Sequence, residues 1–155
     1  MFLLDLFNDF YSIPDPEIPF IQIGELGMIH QLYFISPSKV CLEFIPSYLG
    51  CPATSMLMSA FQEKFQLNWN KEGLYELEVL KVFTPLWGLH RVSETGKKNL
   101  LKNGIGIGQV LCPNCQSKEV EMVSNFSSTP CKRLMRCLNC KIPFESMKCS
   151  WSKKE

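Results

Sequence analysis

The 155-residue sequence is short of histidine, of net charge and of long apolar runs, and each shortage removes a class of function. Its two histidines, His30 and His90, belong to no Glu-x-x-His pair. That removes the di-iron carboxylate bundles. Neither histidine stands in a Cys-His-acid spacing that would support a hydrolase. His30 sits in an apolar strand-like run and reads as a packing residue, whereas His90, beside Arg91, reads as a surface residue.

The formal net charge is only +1. Residues 1–108 carry 8 Lys/Arg against 11 Asp/Glu, and residues 109–155 carry 8 against 4. A metal bound by four thiolates would draw the C-terminal part back by about two charges, which leaves thin ground for nucleic-acid binding through Arg133, Arg136 and Lys141. No apolar run approaches the roughly 20 residues needed to cross a bilayer. The apolar N-terminal stretch lacks a basic flank and is interrupted by Asp5 and Asp9, so a signal peptide is not expected. Cysteines grouped in C-x-x-C pairs fit a reducing compartment better than a disulfide scaffold, and a cytoplasmic location is the expectation. There is no internal repeat of useful length.

Cysteine is the residue the chain does have. Six of its 8 cysteines fall between Cys112 and Cys149. Cys112-Pro113-Asn114-Cys115 and Cys137-Leu138-Asn139-Cys140 are two pairs at the spacing of a four-thiolate ribbon. A two-residue gap lets one tight turn aim both sulfurs at one ion, and the second turn closes the tetrahedron. Zinc suits such a closed site, although four thiolates also hold iron-sulfur clusters. Cys131 and Cys149 are alternative metal ligands, or simply buried thiols.

The order of elements predicts a small α/β (α+β) domain of α-β-β-α-β-α type followed by a C-terminal zinc ribbon. Leu3, Leu6, Phe7 and Phe10 recur at helical steps, with Asp5 and Asp9 on the wet side. Pro14, Pro16 and Pro19 end that helix. Met28 to Ile35 and Val40 to Ile45 read as a hairpin around Ser36-Pro37-Ser38-Lys39. Ala53, Met56, Leu57, Ala60, Phe61 and Phe65 share one face of the next helix, a third strand runs toward Phe83, and Ser93 caps a short helix through about Leu101. The expected division is residues 1–103 for the α/β domain, 104–109 for a glycine-rich linker and 110–155 for the ribbon.

Cys51 lies beside the second helix's N-terminus, where free N–H groups would be expected to lower its thiol pKa and make it a candidate functional thiol. Asp15 and Glu17 flank prolines, where acidic residues ordinarily form turns, with metal binding near that loop as the alternative.

Seven segments carry a resemblance. Asp15-Pro16-Glu17-Ile18-Pro19, Glu25-Leu26-Gly27-Met28-Ile29 and Pro46-Ser47-Tyr48-Leu49-Gly50-Cys51-Pro52-Ala53 resemble the α/β domain associated with iron-sulfur cluster assembly. Cys112 to Cys115, Ser128-Thr129-Pro130-Cys131-Lys132, Arg136 to Cys140 and Pro143-Phe144-Glu145 resemble the ribbon of the PaaD (PaaJ) family of bacterial phenylacetyl-CoA epoxidase systems. Together they span nearly the whole chain. The resemblance implies a non-catalytic accessory subunit that helps assemble or maintain a metal centre in aerobic phenylacetate degradation. Its partners would be other epoxidase subunits or iron-sulfur assembly proteins. It also implies a structural zinc, and iron or an iron-sulfur cluster handled transiently. A general iron-sulfur carrier, a nucleic-acid-binding ribbon and a thiol enzyme using Cys51 are the rival readings. The chain departs from the family pattern at Ile45 (usually threonine), at Gly88 to Arg91 after Trp87, and at Gln116 and Lys141, where glycine often follows the cysteine pair.

Overall fold

The computed structural model describes residues 1–108 and 110–148. Helix α1 (Phe2–Tyr11) is followed by strands β1 (Ile29–Ser36) and β2 (Lys39–Phe44), helix α2 (Thr54–Asn68), strand β3 (Glu76–Lys81) and helix α3 (Glu94–Lys102). The C-terminal part adds β4 (Ile105–Gly106), β5 (Val120–Ser124), β6 (Lys132–Cys137) and β7 (Pro143–Met147). The helix-strand-strand-helix-strand-helix order read from the sequence is therefore observed.

The first sheet has the order β1-β2-β3. The β1-β2 hairpin is antiparallel, as its turn signal predicts, whereas β3 returns through α2 to pair parallel with β2. Central β2 buries Val40, Cys41, Leu42 and Phe44, while edge strand β1 leaves Tyr33, Phe34 and Ile35 exposed. Leu6 and Phe10 of α1 and Leu57, Phe61 and Phe65 of α2 are buried over it. Phe61 joins the parts of this layer, edge-on to Phe10 at 5.3 Å between ring centroids and tilted against Phe44 at 5.7 Å.

Two side chains sit differently from their sequence reading. Met56 is 60% exposed, because Thr54, Leu57, Phe61 and Phe65 already fill the stripe facing the sheet. Asp9 is not simply on a wet face. Its Oδ2 accepts from Asn68 Nδ2 at 2.9 Å and Trp69 Nε1 at 2.8 Å, tying α1 to the C-terminal end of α2. These donors stabilise the charged carboxylate, and Asn68, the strongest influence, draws its pKa down.

Ser93 caps α3 as expected, its Oγ accepting from Gly96 N at 2.9 Å. The segment read as a linker contains β4, which pairs parallel with β7 in a second sheet of order β4-β7-β6-β5. Ile105, Cys131 and Met147 join the main core, so the ribbon's inner edge is packed on the α/β layer. Among the described residues, the outer core of the ribbon is Cys112, Met135, Cys137 and Phe144 with a few partly buried neighbours. Among the described residues, no helix is long and apolar enough to cross a membrane.

Candidate functional site

Two C-x-x-C turns face each other at the outer end of the ribbon. The sulfurs of Cys112, Cys115, Cys137 and Cys140 all lie within 4.8 Å of one another. Cys112 Sγ is 3.5 Å from Cys140 Sγ, and Cys115 Sγ is 3.6 Å from Cys137 Sγ. A tetrahedron with metal-sulfur bonds of about 2.3 Å has edges of about 3.8 Å, so the four sulfurs fit one ion with little adjustment. The two turns are built alike. Cys115 N donates to Cys112 Sγ at 3.5 Å and Cys140 N donates to Cys137 Sγ at 3.4 Å. Gln116 N and Lys141 N then close on the carbonyls of Cys112 and Cys137.

Gln116 and Lys141 have φ of 59° and 65°. Each follows the second cysteine of its pair, and the backbone there takes the left-handed conformation although the residue is not glycine. Each non-glycine residue there costs about 1 kcal/mol, which the closed turn and its N–H to sulfur contacts must offset. Asn139 Nδ2 also points at Cys115 Sγ, at 3.6 Å. The N–H of Ile142 is the foremost influence that pulls the Cys140 thiol down to about 6, so a thiolate is available near neutrality.

A second cluster lies where the ribbon meets the α/β domain. Cys51 stands in the loop before α2, Glu17 in the proline-flanked segment after α1, and Cys131 immediately before β6. Cys51 Sγ donates to Glu17 Oε2 at 3.7 Å, and Cys131 Sγ donates to the same oxygen at 3.5 Å. Asp15 holds Glu17 in place: buried Asp15 accepts the N–H groups of Glu17 and Ile18 through Oδ1, both at 2.9 Å. Asp15 thus forms the turn expected of it, whereas Glu17 projects between the two thiols.

The environment of Cys51 reverses the expectation of a lowered pKa. Its thiol is pushed up to about 11, chiefly by burial and further by the carboxylates of Glu17 and Asp15, which outweigh the N–H of Ala53. The helix N-terminus is too remote to prevail, since the N-cap of α2 is Ala53, two residues on. Cys131 is pushed up to about 12, again by burial first. Both are protonated at neutral pH, so neither is a ready nucleophile. Cys149, the other alternative ligand, lies outside the described residues. His30 is half-buried and His90 is exposed, and neither is part of these two clusters. No spacing rule could have found the Glu17–Cys131 contact, which joins residues 114 positions apart.

Glu145 of β7 anchors the turn that delivers Cys131. Its Oε1 accepts from Ser127 Oγ at 2.6 Å and Ser128 N at 3.0 Å, and its Oε2 accepts from buried Lys132 Nζ at 2.7 Å. Burial raises its pKa, but Lys132 and the two serines prevail and bring it from 4.5 down to about 2. A depressed carboxyl contributes stability that is present above its unfolded pKa and is lost as the pH falls through the folded one. Glu145→Gln should therefore cost about 2–3 kcal/mol at pH 7, partly by stranding Lys132. Between pH 4.5 and 2 the difference from the wild type should close. Urea unfolding of both proteins at pH 7 and pH 3 checks it, and a gap that does not narrow would remove this carboxylate from the argument.

Comparison with known proteins bears on both halves. Residues 100–148 match the PaaD zinc beta ribbon domain. A protein of Escherichia coli strain K12, named as a subunit of 1,2-phenylacetyl-CoA epoxidase, is 34% identical over 149 residues, covering 89% of this chain and 87% of that one. The crystal structure of a DUF59 domain from Bacillus anthracis superposes with a TM-score of 0.57, covering 64% of this chain and 91% of the domain. At 23% identity, that likeness speaks to the fold alone.

Proposed function

The chain belongs to the PaaD family of phenylacetyl-CoA epoxidase subunits, and from that premise we propose that it is a non-catalytic accessory subunit that helps assemble or maintain a metal centre of the epoxidase. The observation that carries the reading is the pairing of a relative's similarity across 89% of the chain with a protonated Cys51 held against Glu17. A thiol so placed is a poor nucleophile and a usable ligand. Cys112, Cys115, Cys137 and Cys140 are proposed to hold a structural zinc. When bound, that ion supplies a closed clamp with no open coordination position, so the chain's own work falls on the Cys51 end.

Three ribbon cations are engaged inside the protein, which favours a protein partner over a nucleic acid. Lys132 pairs with Glu145, Arg136 pairs with Glu121, and Lys148 Nζ lies 3.9 Å above the Phe126 ring centroid. The partners are then other epoxidase subunits or iron-sulfur assembly proteins, in the cytoplasm.

Deletion of the gene in a host that grows on phenylacetate tests the assignment. Growth on phenylacetate should stop, the epoxidase recovered from the strain should be low in metal, and other iron-sulfur enzymes should stay active. Normal growth with a fully loaded epoxidase would sink the proposal, whereas collapse of iron-sulfur enzymes generally would move the chain to a general carrier role.

A further inference from the structure

We propose that Cys51, Glu17 and Cys131 form a second metal site, for one divalent first-row transition ion, assembled across the junction between the α/β domain and the ribbon. It deepens the accessory reading above, on which it rests for the idea that Cys51 handles metal. The site itself is argued from geometry.

One carboxylate oxygen is shared by two sulfurs from different parts of the fold, at 3.7 Å for Cys51 and 3.5 Å for Cys131. With metal-sulfur bonds of about 2.3 Å and a metal-oxygen bond of about 2.05 Å, the sulfur-oxygen edge of a tetrahedron is about 3.6 Å. The two observed separations bracket that edge. Among the described residues only the ribbon quartet has all its ligand atoms within 4.8 Å of one another, so an ion bound here would draw the sulfurs of Cys51 and Cys131 together around the shared oxygen.

The surroundings are arranged to support an ion. Cys131 is only 4% exposed, and Thr129 Oγ1 lies 3.1 Å from its sulfur. Glu17 is oriented by the two N–H bonds of the Asp15 turn. Cys51 is half-buried between exposed Gly50 and Pro52, which leaves the site a solvent side. Binding replaces two thiol protons, which pass to solvent, by one dication. The two thiolates and the carboxylate then leave one net negative charge, which the ammonium of Lys148 near Cys131 partly offsets. Two sulfurs and an oxygen suit ions of borderline softness, such as ferrous, cobaltous or zinc ions. Three protein ligands leave a fourth position open, unlike the closed ribbon. An open position is what passing an ion to a partner requires. The ribbon gains a second use here, since it delivers Cys131 to the site.

The test uses the full chain purified without oxygen. Its ribbon is loaded with zinc, cobalt(II) is added as the probe, and the protein is dialysed and analysed for metal. The wild type should retain two ions per chain and show sulfur-to-cobalt charge-transfer absorption from the second. Glu17→Gln, Cys51→Ser and Cys131→Ser should each retain one ion and lose that absorption, with the ribbon's zinc and the circular dichroism unchanged. Should Cys131→Ser fail to fold, Glu17→Gln decides alone.

A wild type that retains one ion overturns the site. So does a second ion that survives Glu17→Gln and Cys131→Ser, because Cys51 would then act without the ribbon. A Cys51–Cys131 disulfide that, once reduced, still takes up no cobalt would overturn it as well. The growth experiment separates this failure from that of the accessory role. One ion together with arrested growth removes the site and keeps the role, whereas two ions with normal growth do the reverse.

Discussion

Cys137→Ser is expected to lose the ribbon ion and the native structure of the outer ribbon together. Cys137 is fully buried, and it is both a member of the sulfur quartet and one of four buried residues in the outer core among the described residues. So few apolar side chains cannot offset the ordering cost of the segment, and metal binding must supply the difference. Structural zinc contributes about 10–16 kcal/mol in small zinc domains, and a serine hydroxyl is a poor substitute for a thiolate. The loss should stop at the inner edge, because Ile105 and Met147 pack into the main core rather than around the quartet. Metal analysis should therefore show the ribbon zinc gone, and limited proteolysis should cut within residues 110–130 while the α/β part survives. A variant that keeps its ion and resists protease would show that the quartet does not hold the ribbon together.

The sequence announces those residues because the chemistry is local: two cysteines three apart can face one ion only through one kind of turn. The same locality explains why α1, the β1-β2 hairpin and the Ser93 cap are legible, each being set by period or by a cap within four residues. What is hidden depends on distant partners. Asp9 looks solvated until the end of α2 arrives with Asn68 and Trp69. The glycines at 104–108 look like a tether, yet Ile105 finds a partner in Glu145 of β7, forty positions on. Cys51 offers the clearest case. Its place before a helix suggests an acidic thiol, but burial and two carboxylates from the Asp15–Glu17 turn outweigh the helix end. Glu17 reads as an ordinary turn residue because nothing near it in the chain hints at Cys131.

Gly27→Ala should destabilise the protein by about 3–5 kcal/mol, and it should disturb the Cys51 end although residue 27 touches neither thiol. The glycine sits at φ 67°, and an added Cβ would lie 2.1 Å from the carbonyl oxygen of Arg91. That obstacle is backbone, so no rotamer change relieves it, and the left-handed conformation adds about 1–2 kcal/mol for alanine. Moving Arg91 breaks more than one contact. The carbonyls around Gly27 are satisfied by this neighbourhood: Leu26 O by Trp87 Nε1 at 2.7 Å, Gly27 O by Arg91 Nε at 2.7 Å, Ile29 O by Arg91 Nη2 at 3.2 Å, and Glu25 O by Ser93 N at 2.8 Å. Arg91, one of the residues that departs from the family pattern, thus has a structural use in this chain. Each buried bond lost costs about 1 kcal/mol, which with the backbone strain gives the stated range. The strain then travels in two directions. Ile45 N donates to Met28 O at 2.7 Å, which fixes the start of the Cys51 loop, and Ile23 N donates to Ile13 O at 2.8 Å, which steadies the turn carrying Glu17. Loosening residues 23–28 should thus separate Cys51 from Glu17 as well as lower the melting temperature, by about 10–15 °C for a chain of this size. Calorimetry should read the first effect, and faster alkylation of Cys51 at neutral pH should read the second. A drop in melting temperature with Cys51 as slow to react as in the wild type would mean that the 23–28 segment supports the core without positioning the site.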